Sequence, residues 1–161
     1  MQIQEGLKRT AVLCVLRNEN DFLLLKRFKE PNKNMYTPVG GKLDPYETPK
    51  NAARRETREE TGIIVPDMRF CGVLTESSPT GYNWTSFVYE ATIEKLPPPA
   101  CNEGILEWVP FNKILDIPTP KTDWYIYNYL LKKQAFVLMA SFDSTLQLTE
   151  MTEELTGQQL V

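Results

Sequence analysis

Three carboxylates, Glu56, Glu59 and Glu60, stand at spacing i, i+3, i+4 within the run Asn51–Thr61. In a helix that spacing puts them on one face, with neighbouring Cβ atoms about 5–6 Å apart. Like charges so placed cost roughly 0.2–0.5 kcal/mol per pair. Something must offset the repulsion, and two agents are available. One is arginine: Arg54, Arg55 and Arg58 lie in the same run, with Arg55 and Glu59 four residues apart. The other is a divalent cation, because hard carboxylate oxygens suit magnesium, which binds a few carboxylates together with substrate phosphates. For an arbitrary Glu/Arg-rich helix, arginine pairing is the ordinary explanation. Here Gly40-Gly41 precedes the run. A glycine pair lets the backbone approach an ion or a phosphate closely. Glu47 sits just before the helix, where its carboxylate can lock the loop to Arg55.

The helix that must carry these groups is well delimited. Thr48 suits the N-cap and Pro49 the first helical position. Gly62 is the expected left-handed terminator. Ahead of it, Ala11–Leu16 is continuously apolar, as a strand buried on both faces would be. Phe22–Phe28 follows after a turn at Asn18–Asp21, which predicts a hairpin. Tyr36–Val39 predicts a short strand. Further strands are expected at Met68–Thr75, Asn83–Ile93 and Gly104–Phe111, with a Pro-rich connection at Leu96–Ala100. Thr122–Lys132 reads as an amphipathic helix and Phe136–Phe142 as the final strand, with Leu155–Val161 fraying. Strands interrupted by two helices predict an α/β sandwich with a mixed sheet. No internal repeat or linker divides the chain, so residues 1–161 are expected to form one domain.

Composition excludes several classes. The chain has 161 residues, 18 basic and 21 acidic, for a net charge of −3. The acidic balance argues against binding a nucleic-acid polymer. There is no run long and apolar enough for a transmembrane helix, and Met1–Arg9 is too polar for a signal peptide, so no membrane partner and a cytoplasmic location are expected. Histidine is absent, which removes His-based triads and His-zinc sites. Cys14, Cys71 and Cys101 fit neither a zinc nor a redox spacing and are expected to be reduced thiols.

The run from Gly41 to Ile63 resembles the Nudix hydrolase signature. Gly41, Glu47, Arg55-Glu56, Glu59-Glu60, Gly62 and Ile63 fall in register with it. Thr57 takes a position that is aliphatic in the family, a change expected to loosen packing. The resemblance implies an α/β/α sandwich and hydrolysis of a diphosphate linked to another moiety. It further implies that Mg²⁺, with Mn²⁺ as a substitute, is held by Glu56, Glu59, Glu60 and the Gly40 carbonyl, and that Arg55 and Glu47 orient the carboxylates. Glu103 resembles a later-loop glutamate that serves as metal ligand or general base in MutT-type members; Glu56 and Glu59 are the helix alternatives. Lys26, Arg27 and Lys42 are candidate phosphate contacts.

Outside the signature the chain is most similar to the MutT-type branch that includes 8-oxo-dGTP diphosphatases. Lys26-Arg27, Asn102-Glu103-Gly104, Leu106–Pro110 and Asp123-Trp124 carry that likeness. It implies a nucleotide base held between aromatic residues, with Tyr36, Trp84 and Tyr82 as candidates and Asp123 as a polar reader of its edge. Trp108 reads better as core. Thr37 stands where some oxidised-purine readers have Asn, and a hydroxyl cannot make the paired contacts of an amide. Pro79, 16 residues past Ile63, resembles a marker of ADP-ribose-type members. The expected function is Mg²⁺-dependent cleavage of a nucleoside triphosphate to monophosphate and pyrophosphate by a monomer or homodimer. The alternatives are a pyrophosphatase for ADP-ribose or another nucleoside-diphosphate derivative, and a nucleotide sensor without catalysis.

Overall fold

The computed structural model describes residues 7–161, so most of the polar opening stretch Met1–Arg9 lies outside the described residues. Most expected strands form, with small shifts at their ends: β1 (Arg9–Asn18), β2 (Asp21–Arg27), β5 (Arg69–Ser77), β6 (Trp84–Thr92) and β8 (Gly104–Pro110). The strand expected over Tyr36–Val39 is split at Pro38 into β3 (Tyr36–Thr37) and β4 (Val39–Lys42), the latter running through the glycine pair, and the short β7 (Ala100–Cys101) lies outside the expected strands. Helix α1 is Pro49–Thr61 and α2 is Lys121–Leu131; a 3-10 turn over Phe111–Asp116 precedes α2. The caps of α1 are those expected. Thr48 Oγ1 accepts the Asn51 N–H at 3.2 Å, and Gly62 sits at φ 74° with its N–H bonded to the Arg58 carbonyl. Glycine tolerates that left-handed backbone where other residues are strained.

The end of the chain differs from expectation. Phe136–Phe142 is strand β9, but it is not the last: β10 (Leu148–Glu153) and β11 (Gln158–Gln159) follow. Nor does Leu155–Val161 stand apart from the sheet. The Glu153 carboxylate accepts the N–H groups of Val137, Leu155 and Thr156, Gly157 turns the chain at φ 74°, and the Leu160 N–H bonds the Met151 carbonyl. A polar composition hid this, because a carboxylate that satisfies three backbone donors stabilises a turn without an apolar run.

All eleven strands belong to one mixed sheet, in the order β11-β10-β9-β5-β6-β1-β2-β8-β7, with β3 on β2 and β4 on β1. Strand β1 runs parallel to β6 along its whole length. On its other edge it changes partner, pairing with β4 over Ala11–Cys14 and with β2 over Leu16–Asn18. The sheet edge therefore splays, and the glycine loop enters the gap.

Period-2 alternation explains the continuous apolar run of β1. Val12, Cys14 and Leu16 face α1 and pack with Ala52, Ala53 and Leu25. Val15 faces the other way and packs with Ile126, Tyr127 and Leu130 of α2 and with Phe136 and Met151 of the last strands. A sheet covered on both faces by helices is the α/β/α sandwich expected. Trp108 packs against the α1-side core and donates its indole N–H to the Leu96 carbonyl at 2.8 Å. Cys14 and Cys71 are buried free thiols, and burial pushes both up to about 12. No helix among the described residues is long and apolar enough to cross a membrane.

Thr57 is fully buried and its hydroxyl has no hydrogen-bond partner among the described residues. Thr57→Val should stabilise the fold by about 1 kcal/mol in urea unfolding, since it removes an unsatisfied buried group at nearly constant volume. Met151 is fully buried beyond the expected last strand. Met151→Ala should cost about 2–5 kcal/mol in the same measurement, as befits a core position.

Candidate active site

Helix α1 brings its carboxylates to the glycine loop. Strand pairing sets Gly40 opposite Leu13 and Gly41 opposite Val12. A Cβ on Gly40 would stand 2.1 Å from the Val12 carbonyl oxygen. One on Gly41 would stand 2.5 Å from the Glu56 carboxyl. Close approach to backbone therefore requires glycine at position 40, whereas at 41 a side chain would displace only the Glu56 carboxyl. The Gly40 N–H donates to Glu60 Oε2 at 2.9 Å, tying helix to loop.

Arg55 is the hub of this end. It donates to both oxygens of Glu47 at 2.7 Å, to Glu56 Oε1 at 2.8 Å, to Glu59 Oε2 at 3.2 Å and to the Lys42 carbonyl at 3.1 Å. The fork geometry of guanidinium suits the bidentate pair with Glu47. That pairing holds the Glu47 carboxyl down at about 2, and the same contact raises Arg55 above its ordinary value. Glu56 is raised, chiefly by burial, with Arg55 opposing. Glu60 is pushed up to about 7 by burial; the Gly40 N–H opposes that, and the charge of Glu56 adds to it. Glu59 is different: its side chain is 59% exposed and turned to Arg55.

The donor chemistry suits a hard divalent cation. Glu56 and Glu60 flank a glycine loop whose missing Cβ atoms leave room, and all available donors are oxygens. In this arrangement no three acidic or thiol side chains among the described residues converge on one point. Arg55 and the Gly40 N–H occupy their oxygens instead, and Glu59 pairs with Arg55.

A cleft of about 470 Å³ runs from this end across the sheet, the size of a small-ligand pocket. Of the candidates, Gly40, Lys42, Glu60, Glu103 and Arg27 line its phosphate-like end, and Trp84, Tyr82 and Asp123 its other end. Glu103 is exposed on the β7–β8 turn. Arg27 donates through Nε to the Pro31 carbonyl at 2.7 Å. Six candidates do not line the cleft. Glu47, Arg55, Glu56 and Glu59 stand outside its lining, Arg55 and Glu59 on a separate hollow shared with Arg54 and Arg58; Tyr36 and Lys26 are turned away from the cleft. Tyr36 is buried in the α2-side core and donates its hydroxyl to Glu107 at 3.1 Å. The Lys26 ammonium lies over the Tyr36 ring, 5.7 Å from its centroid. Strand alternation is the reason: Thr37, next to Tyr36, takes the cleft position, and so does Arg27, next to Lys26.

Other cleft residues are absent from the sequence-based set. Pairing across β1, β6 and β5 aligns Arg9, Trp84 and Glu76 in one row and Ala11, Ser86 and Leu74 in the next. Both rows line the cleft. The small Ala11 and Ser86 leave space, and the outer row supplies an aromatic ring and two charges. The Arg9 guanidinium sits 5.3 Å from the Trp84 ring centroid, a cation–π distance. A tract of alternating residues announces which share a face but not which strands become neighbours, so Arg9 and Glu76 carry no local motif.

Comparison with known proteins accords with this geometry. The NUDIX domain profile matches residues 7–130. An uncharacterized Nudix hydrolase, YvcI of Bacillus subtilis, is 29% identical over 131 residues, covering 77% of this chain and 80% of that protein. The NAD-capped RNA hydrolase NudC of Vibrio parahaemolyticus is 38% identical over 61 residues, 38% of this chain and 23% of NudC, so this chain spans about a quarter of that relative. Among solved structures, a MutT protein from Bacillus halodurans superposes with a TM-score of 0.79 at 22% identity, covering 91% of this chain and 98% of that one. The NUDIX domain of Shewanella oneidensis NrtR, in complex with ADP ribose, gives 0.68 at 16% identity, with 80% and 89% covered. Strands β9–β11 lie beyond the profile match yet complete the same sheet. The chain belongs to the Nudix family of hydrolases.

Proposed function

We propose that this chain is a divalent-cation-dependent nucleoside triphosphate diphosphatase, releasing a nucleoside monophosphate and pyrophosphate. The observation that carries the reading is the polarity of the cleft. Glu60 of the helix and the glycine loop line the cleft together with an aromatic ring and buried hydrogen-bonding groups, and its volume suits a nucleotide. An acidic chain needs a cation to receive a polyphosphate. Glu56, Glu59, Glu60, the Gly40 carbonyl and Glu103 are the residues to hold one. A bound Mg²⁺, or Mn²⁺ in its place, would supply charge neutralisation and Lewis acidity along the phosphate chain.

The chain's own residues do the rest. Arg55, fixed by Glu47 and the Lys42 carbonyl, keeps Glu56 and Glu59 on the cation side of α1. Lys42 and Arg27 line the cleft as phosphate contacts. Water attacks a phosphorus of the α–β phosphoanhydride, the P–O bond to the bridging oxygen breaks to leave nucleoside monophosphate and pyrophosphate, and the water's proton passes to a carboxylate. Glu103 suits that role, because it lines the cleft and its side chain is exposed to solvent there. Trp84 offers its face to the base, with the purine nucleotides, oxidised ones included, as the class of choice. Free buried cysteines accord with a reducing cytoplasm. A pyrophosphatase for ADP-ribose or another nucleoside-diphosphate derivative is the second reading; the likeness to NudC, a hydrolase of NAD-capped RNA, favours it.

A panel of dGTP, 8-oxo-dGTP, dATP and ADP-ribose separates the two: pyrophosphate should appear from the triphosphates, and AMP with ribose phosphate would instead support the second. Glu59→Gln should lower kcat by orders of magnitude at limiting Mg²⁺ with unchanged circular dichroism; unchanged turnover would sink the cation role. Glu103→Gln should lower the rate while nucleotide affinity is largely kept. Arg55→Ala should lose about 10²-fold or more in kcat/KM, with Arg55→Lys recovering only part, since a lysine cannot brace Glu47 bidentately.

A further inference from the structure

The hollow on the outer face of α1 has a volume of about 660 Å³ and is lined by Arg54, Arg55, Arg58, Glu59 and the segment Ile64–Pro66. Its charge is unbalanced. Arg55 is held by Glu47, Glu56 and Glu59, and Glu59 is in turn neutralised by Arg55 at 3.2 Å. Arg54 and Arg58 are left over. They stand at i, i+4, where two like charges weaken a helix unless something offsets them. Arg54 has only Asp67, at 4.0 Å, and Asp67 already pairs with Lys50 at 2.8 Å. Arg58 is exposed, and among the described residues its guanidinium enters no ion pair and donates no hydrogen bond.

Arg54 is held in a way that helix stability does not require. One Nη donates to the Pro66 carbonyl at 2.5 Å and fixes the guanidinium, while its Nε is buried without a partner among the described residues. A buried N–H of this kind points to an acceptor that satisfies it. The helix dipole accounts for a basic residue in the last turn, where Arg58 stands, but not for Arg54 one turn earlier. Two unpaired guanidinium forks suit the oxygens of a phosphate, which they bind bidentately. Position indicates which phosphate. Glu56 stands between the two cavities: its carboxyl lies against Gly41, which lines the cleft, and accepts from Arg55, which lines the hollow. A diphosphate received at Glu56, Glu59 and Glu60, with its nucleoside in the cleft, has its other half on the side of the hollow.

We propose that Arg54 and Arg58 form a second phosphate site, which takes the terminal phosphate of the substrate's leaving half on the face of α1 away from the nucleoside. The inference rests on the function proposed above. In a nucleoside triphosphate the leaving half is pyrophosphate, whose outer phosphate is the most highly charged group of the substrate. In ADP-ribose the half beyond the bridge ends in a neutral sugar, which offers the two arginines nothing to bind. The hollow therefore favours substrates that carry a phosphate beyond the cleaved bond. A free phosphate bound as an effector would use the same donors, and competition with a nucleotide tells the two sources apart.

Calorimetric titration of inorganic pyrophosphate into the metal-free chain tests this. The wild type should bind it, and Arg54→Gln and Arg58→Gln should each weaken binding about tenfold or more, the loss expected for one charge-assisted contact. Binding of dAMP, the retained half, should not change in either variant. Arg58 is exposed and unpaired, so its replacement guards against a folding defect at Arg54, which anchors the Pro66 carbonyl. A non-cleavable α,β-methylene analogue of dGTP should displace pyrophosphate from the wild type. Pyrophosphate that stays bound marks a free-anion site and overturns the assignment to substrate. A wild type that does not bind pyrophosphate, or an affinity that neither substitution moves, overturns the site itself. Pyrophosphate release from dGTP with Mg²⁺ by the same preparation separates the two failures. Release with an affinity unmoved by the substitutions removes only the hollow; an arginine-dependent affinity without release from any nucleotide removes only the hydrolase reading.

Discussion

Mutual repulsion among the acids of α1 is the constraint on which the rest of the molecule depends. Four carboxylates from Glu47, Glu56, Glu59 and Glu60 gather around one helix end. A single guanidinium balances three of them, and a backbone N–H the fourth. Arg55 can do this only because it is held from the loop side as well, by the Lys42 carbonyl. The glycine loop must in turn lie against β1 at a distance that excludes any side chain. Helix, loop and first strand are thus fixed by one set of contacts. A cation entering the site would take over part of the balancing now done by Arg55.

The cleft owes its shape to the sheet. Because β1 exchanges β2 for β4 along one edge, the sheet opens on that side and admits the loop. Along the other edge β6 and β5 continue the floor, with small side chains where a ligand must lie and large or charged ones at the rim. Helix α2 closes the far wall with Asp123 in its first turn. Acidic residues there are ordinarily favoured by the helix dipole, yet burial prevails over that effect.

Local signals made most of this legible. Apolar runs, Thr48, Pro49 and Gly62 marked α1 and the central strands, and the spacing of Glu56, Glu59 and Glu60 marked the chemical end of the cleft. What stayed hidden depended on partners far along the chain. Arg9 and Glu76 meet through Trp84 only after three strands pair. Tyr36 has the composition of a stacking residue, but one step of strand alternation sends it to the core and its neighbour Thr37 to the cleft. The closing strands escaped notice because Glu153, not an apolar run, organises them.

The two ends of the cleft draw their support from different stretches of chain. The acid-bearing end rests on residues between Gly40 and Gly62, whereas the opposite wall leans on the C-terminal strands: Phe142 props the Tyr82 ring, and the Leu160 carbonyl takes the Tyr125 hydroxyl. Mutational drift in the tail can therefore retune which molecule is admitted without disturbing the apparatus that breaks it. Such a partition offers one scaffold a route to new selectivity through its least motif-like region.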